Sequence, residues 1–152
     1  MISDGKLSVE QLLEFMTEEA YDFFYVQVIK NNMTIKEYAK KLSEKATIAY
    51  QLYDGNIVGL VAGYTNNLSD NCSYITQVFV SSDLRGRGIA TKLLNEYFEY
   101  CVSKNINSCW LTTKKNNIAS IKTYQKSGFV IDTDYESDTL YKLVKNLNVR
   151  KY

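Results

Sequence analysis

Val78-Phe79-Val80-Ser81-Ser82-Asp83-Leu84-Arg85-Gly86-Arg87-Gly88-Ile89-Ala90 decides how this chain is read: an apolar strand enters a basic turn broken by glycines, and the turn enters a helix. Beyond Ala90 the apolar residues Leu93, Leu94, Tyr97, Phe98, Cys101 and Val102 recur at helical spacing, with Lys92, Asn95, Glu96 and Glu99 on the other side. The pattern predicts a helix that begins near Gly88. Its first backbone N–H groups lack intrahelical acceptors and the macrodipole puts partial positive charge at the same end, so an anion fits there. Gly86 and Gly88 remove the side chains that would hold a phosphate off those amides, and Arg85 and Arg87 add charge. A bland connecting turn of an α/β protein shares much of this pattern. The loop has neither the Lys-Ser/Thr ending of a nucleoside-triphosphate loop nor the three glycines of a dinucleotide fingerprint.

What the loop does match is Arg-x-x-Gly-x-Ala (Arg85, Gly88, Ala90) behind a Val-x-Val strand, which resembles the acetyl-coenzyme A loop of the GCN5-related N-acetyltransferase (GNAT) family. Asn117-Ile118-Ala119-Ser120-Ile121-Lys122-Thr123-Tyr124-Gln125-Lys126-Ser127-Gly128-Phe129 resembles a second GNAT segment, in which Asn, a small residue, Tyr and Gly-Phe stand at fixed offsets. Together the two cover about residues 73–130. The resemblance implies an α/β fold with a mixed, mostly antiparallel sheet, a central parallel strand pair that splays apart, and helices on both faces. It implies acetyl-CoA as the acetyl donor, its pantetheine arm lying in that gap.

A pantetheine arm is an amide chain, so it can add as a strand to the free backbone edge of Val78, Phe79 and Val80. The pyrophosphate then falls on Arg85, Gly86, Arg87, Gly88, Ile89, Ala90 and Thr91. By resemblance, Asn117 contacts the pantetheine arm, Ser120 faces the cofactor and Tyr124 points at the sulfur. A backbone N–H near Val78 would stabilise the oxyanion of direct acyl transfer, and the Tyr124 hydroxyl would protonate the departing thiolate. Each assignment has a structural rival. Tyr124 is one of 13 tyrosines and suits the inner face of its helix as a core aromatic. Asn117 suits a helix N-cap and Ser120 a close contact, while Arg85, Arg87 and Lys126 suit a solvated surface. For Lys126 the functional reading is the 3′-phosphate of the adenosine.

The attacking amine must lose a proton. Many family members carry Glu on the strand before the loop, yet Tyr74, Ile75, Thr76 and Gln77 occupy that run here. The candidates for the task are Asp70, or a water held by Tyr74, Thr76 or Tyr50; an amine of low pKa needs no strong base. Asp70 also suits an ordinary polar turn.

At 152 residues the chain is long enough for one domain with a real core, and residues 1–152 are expected to form a single GNAT domain. With 18 basic and 17 acidic residues the charge gives no long-range field for nucleic acid or for an anionic membrane. Cys72, Cys101 and Cys109 lack metal-ligand spacing and there is no histidine, so they read as free thiols, no metal site is expected, and no His exists to activate a catalytic cysteine. No apolar run is long enough to span a bilayer and the first residues lack a signal-peptide core, so a cytoplasmic protein is expected.

Along the chain, residues 1–7 suit a first edge strand. Ser8 with Gln11, and Thr34 with Glu37, form capping boxes that open helices. The first helical pattern, through Leu12, Leu13, Phe15 and Met16, extends toward Ala20, Phe23, Phe24 and Val28 with room for a break. Its aromatics suit core packing or a wall of the acceptor pocket. Residues 46–53 and 57–64 are β-rich runs joined by Asp54-Gly55-Asn56, a hairpin signal, and residues 66–71 read as a polar turn before a third strand over 73–80. A strand over 108–113, reached through the central helix, must run parallel to the strand before the loop. A helix over 117–127 ended by Gly128 follows, then a hairpin of 129–135 with 139–144. The expected protein is an N-acetyltransferase acting on a small-molecule amine such as an amino sugar. Acetylation of protein N-termini or lysines, and idle acyl-CoA binding, remain the alternatives. A homodimer stands beside a monomer as its assembly.

Overall fold

Both capping boxes form. Ser8 Oγ accepts the Gln11 N–H at 3.1 Å while Gln11 Oε1 accepts the Ser8 N–H at 3.3 Å, and Thr34 and Glu37 make the same pair of bonds at 3.1 and 3.2 Å. The computed structural model describes residues 2–4, 7–18, 20–65 and 70–147 of the chain. Its elements are β1 (Ile2–Asp4), α1 (Val9–Thr17), α2 (Tyr21–Lys30), α3 (Ile35–Lys45), β2 (Thr47–Tyr53), β3 (Asn56–Tyr64), β4 (Cys72–Val80), a 3-10 turn (Ser82–Leu84), α4 (Ile89–Ser103), β5 (Ser108–Lys114), α5 (Ile118–Lys126), β6 (Val130–Ile131) and β7 (Leu140–Asn146). The long first helical pattern is thus broken between Thr17 and Tyr21 into two helices. Of the expected turn over 66–71, only Asp70 and Asn71 lie among the described residues.

The strands form one mixed sheet in the order β1-β2-β3-β4-β5-β7-β6, in which β4 and β5 are parallel and the other neighbours antiparallel. Asp54 and Gly55 both take left-handed φ, 50° and 80°, so the β2–β3 link is a two-residue hairpin whose twist matches its strands. Alternation then sends Ile48, Leu60 and Ala62 to one face, under Leu12, Phe15, Met16, Phe24, Tyr38 and Leu42 of α1 to α3. Ala49 and Val61 go to the other face, under Leu93, Leu94, Tyr97 and Cys101 of α4, with Tyr124 of α5 in the same cluster. Helices therefore cover both faces.

The last hairpin is shorter than its pattern. Val130 and Ile131 pair with β7 opposite Val144 and Leu143, the Asp132 N–H adds one more bond to the Lys142 carbonyl at 2.8 Å, and β7 lies between β5 and β6. The chain leaves the ladder because the Asp132 carboxylate accepts the Asp134 N–H at 3.0 Å, a local turn that competes with strand pairing.

Candidate active site

The parallel pair is joined over a short length. Cys72, Ser73 and Tyr74 pair with Ser108, Cys109 and Trp110, and beyond Tyr74 no further pairing joins β4 to β5 among the described residues. The cause lies one strand over. Ala62 faces Gln77 and Gly63 faces Ile75, so Thr76 is an extra residue on β4, a bulge whose Oγ1 donates to the Ala62 carbonyl at 3.3 Å. The bulge also resets the alternation: Ile75 packs toward α4, whereas Gln77, two residues on, donates from Nε2 to the Tyr38 hydroxyl of α3 at 2.7 Å. Above the fork β4 keeps a bare edge toward β5. The Ser81 N–H bonds to the Val58 carbonyl of β3 at 2.8 Å, so by strand alternation the N–H and C=O of Val80 and Val78 face the gap. Phe79 lies between them and packs its ring toward Phe15 and Phe23.

At the mouth of the gap, Gly86 and Gly88 both hold φ of 78°, and Gly88 is the N-cap of α4. The Lys92 N–H closes the first helical turn on the Gly88 carbonyl at 3.0 Å, leaving the N–H groups of Ile89, Ala90 and Thr91 without an intrahelical acceptor. A Cβ built on Gly86 or Gly88 would meet nothing within 4 Å, so the loop is an open cradle that fits a diphosphate. Arg87 is exposed over it. Arg85 turns back instead: its Nε donates to the Val80 carbonyl at 3.0 Å and its guanidinium lies 5.6 Å from the centre of the Phe79 ring. It thereby closes the far end of the bare edge.

On α5, Asn117 Oδ1 accepts the Ser120 N–H at 3.3 Å, so Asn117 is the helix N-cap. Tyr124 is buried, with its ring edge-on to Phe129 at 5.9 Å. Burial pushes its phenol up to about 12, partly offset by a hydrogen bond with Ser120. A phenol so placed keeps its proton at neutral pH. Lys126 is exposed.

The opposite face of the fork is aromatic and polar, which the sequence pattern did not locate. Tyr74 stacks on Trp110 at 4.1 Å, and Lys142 Nζ sits 4.7 Å from the centre of the Trp110 ring. Burial raises the phenols of Tyr38 and, to about 12, of Tyr64, each also sensing Tyr74. Gln77 is 2% exposed and its Oε1 has no hydrogen-bond partner among the described residues. Asp70 lies exposed before β4, at the end where the strands are zipped, and so stands well away from the fork. Tyr38, Tyr64, Trp110 and Gln77 come from four elements, and only the bulge at Thr76 brings Gln77 round to Tyr38.

A mixed sheet with a forked parallel pair, and an amide cradle at the end of one prong, defines a class of proteins that seat an extended phosphorylated ligand in the fork. The profile of the acetyltransferase (GNAT) family matches residues 13–129, and this chain belongs to that family. Human N-acetylaspartate synthetase is 36% identical over 76 residues, which are 50% of this chain and 25% of that protein. An uncharacterised N-acetyltransferase of Methanocaldococcus jannaschii is 28% identical over 121 residues, 77% of this chain and 53% of that one. The chain therefore spans a quarter to a half of the length of these curated relatives. Among solved structures, aminoglycoside 6'-acetyltransferase type Ii superposes with a TM-score of 0.75 at 15% identity, covering 99% of both chains. PaiA N-acetyltransferase from Thermoplasma acidophilum, in complex with coenzyme A, gives 0.71 at 18% identity, covering 96% of this chain and 98% of that one. At such identities the likeness is one of fold.

Proposed function

We propose that the chain is an N-acetyltransferase that moves the acetyl group of acetyl-CoA directly to the primary amine of a small molecule. The observation that carries this reading is the continuity of the bare β4 edge at Val78 and Val80 with the unpaired amides of Ile89, Ala90 and Thr91. The first offers strand-like pairing to the amides of a pantetheine arm, and the second, with Gly86, Arg87 and Gly88, receives a diphosphate. Asn117 Nδ2, not used in capping, is left to contact the arm beside Ser120.

Acetyl-CoA supplies an activated thioester. The N–H of Val78 is placed to donate to the carbonyl oxygen as it gains charge, and the amine lone pair forms the C–N bond as the C–S bond breaks. Tyr124, which holds its proton at neutral pH, gives it to the departing sulfur. The ammonium proton leaves through water held by Tyr74, Thr76 or Tyr50, since no carboxylate stands among Tyr74, Ile75, Thr76 and Gln77. The stacked Tyr74 and Trp110, beside Tyr38 and Tyr64, offer flat polar-edged surfaces that suit a small polar amine, such as an amino sugar, better than a basic peptide tail. Three free thiols are in keeping with a reducing, cytoplasmic setting.

Incubation of the protein with acetyl-CoA and a panel of amino sugars, small amines and peptides, read as free thiol release, tests this reading. Release with a small amine supports it. Release with peptides alone replaces the acceptor class with protein N-termini or lysines. Binding of acetyl-CoA without release for any amine makes the chain a non-catalytic acyl-CoA binder, the reading favoured by the missing carboxylate on β4.

A further inference from the structure

Three rings stand in a row across the sheet at the foot of the fork. Tyr64 of β3 is opposite Tyr74 of β4, and Tyr74 is opposite Trp110 of β5. The row faces away from α4: Ser73 and Cys109, the chain neighbours of Tyr74 and Trp110, meet Tyr97 and Cys101 of that helix, so alternation turns the rings to the other side. Each end of the row carries a lysine. Lys41 of α3 holds its Nζ 5.7 Å from the centre of the Tyr64 ring, and Lys142 of β7 holds its Nζ 4.7 Å from the centre of Trp110. All five side chains are half-buried. Among the described residues the only carboxylate within 4.0 Å of either ammonium is Asp132, and at 4.0 Å from Lys142 it is too distant to accept a hydrogen bond.

The sign of the missing partner follows. Tyr74 and Trp110 spend their faces on one another, and the lysines lie over faces of Trp110 and Tyr64, so the ring edges remain, and these carry the positive end of the aromatic quadrupole. The Tyr64 phenol, pushed up to about 12 mainly by burial, keeps its hydrogen for donation. Ammonium groups, ring edges and hydroxyl hydrogens all favour negative charge. We propose that Lys142 is a specificity-determining residue that selects amine acceptors carrying an anionic group, a carboxylate or a phosphate, with Lys41 adding to the positive field from the far end of the row. This rests on the reading of the fork's aromatic face as the acceptor pocket. The anion replaces Asp132 as the counter-ion of Lys142 and accepts the hydrogen bonds that Asp132 stands too far away to take. The amine end of the acceptor is left toward the gap that opens beyond Tyr74 and Trp110.

Trp110 is the only tryptophan of the chain, so its fluorescence reports on the place where the anion arrives. The test is a titration of the full chain, without acetyl-CoA, with three amino sugars: glucosamine, which has no anion, glucosamine 6-phosphate and muramic acid, a carboxylate. At least one of the anionic pair should give a saturable change at about tenfold lower concentration than glucosamine, and the tighter of the two tells phosphate from carboxylate. Lys142→Met should remove most of that preference and Lys142→Arg restore it, while Lys41→Met should weaken anion binding about threefold. Asp132→Asn should strengthen anion binding about twofold, a gain that a merely structural Lys142 would not give. The proposal is overturned if glucosamine binds as well as the anionic sugars, if Lys142→Met leaves the preference intact, or if none of the three changes the fluorescence up to about 20 mM. Thiol release on adding acetyl-CoA is read separately. Release with uncharged amines alone overturns the selectivity and leaves the acetyl transfer standing, whereas anion binding without release leaves Lys142 in its role and removes the transfer. Circular dichroism of the variants separates lost binding from lost folding.

Discussion

Ser73 Oγ and the Tyr97 hydroxyl lie 2.6 Å apart in the interior, where β4 is still zipped to β5. Ser73 spends its hydrogen on the Tyr64 carbonyl at 3.0 Å, so Tyr97 is the donor of the shorter bond. Gly63 makes room for it: a Cβ there would collide with the Tyr97 hydroxyl and with the Tyr74 carbonyl. The bond pins α4 to the base of the fork. Tyr97→Phe should cost about 1 kcal/mol in urea unfolding, because Ser73 keeps its other partner. Gly63→Ala, which forces backbone against backbone, should cost more, about 1–3 kcal/mol. A costlier tyrosine change than glycine change would contradict this order.

Removing the Tyr124 hydroxyl tests the proposed acid. Tyr124→Phe should lower kcat by about a hundredfold or more while leaving acetyl-CoA binding nearly intact, since the ring keeps its contact with Phe129. Full activity would remove the role.

The loop prediction separates crowding from strain. A side chain at Gly88 meets open space, but the φ of 78° disfavours a β-branched residue. Gly88→Val should raise the dissociation constant of coenzyme A by about tenfold, through the ~1–2 kcal/mol cost of a left-handed residue and through obstruction of the cradle. Gly88→Asn, which tolerates that conformation, should lose less, and equal losses would assign the effect to obstruction alone.

Buried phenols set a limit at alkaline pH. Tyr64 and Tyr124 are pushed from the ordinary 10.0 up to about 12, and Tyr97 well above it, each mainly by burial. A raised pKa means that the folded chain holds these protons where the unfolded chain has lost them. The stability they lend is therefore complete below about pH 10 and falls as the pH climbs toward about 12. Tyrosinate absorbance and circular dichroism recorded together should show part of the tyrosine signal appearing only with unfolding. The kcat profile should have no falling limb from Tyr124 below pH 10.

Much of the frame was legible because local signals agreed with the fold: Ser8 with Gln11, Thr34 with Glu37, Asp54-Gly55, and the run from Val80 to Gly88 each act within a few residues. Tyr124 and Asn117 could be placed because their helix starts and stops on clear punctuation. The Thr76 bulge was not legible, since the run Tyr74-Ile75-Thr76-Gln77 shows no glycine or other mark of an extra residue, and the register depends on Ala62 and Gly63 of another strand. Without it the partnership of Gln77 with Tyr38 is invisible. The inward turn of Arg85 onto Val80 was equally hidden, because it depends on a bare carbonyl that exists only when β5 peels away.

That peeling has a cost in handling. An unsheathed strand edge is a template for any extended chain, another copy of this protein included, and Arg85 shields only its last carbonyl. Preparations kept without coenzyme A should thus clump sooner on storage than those kept with it.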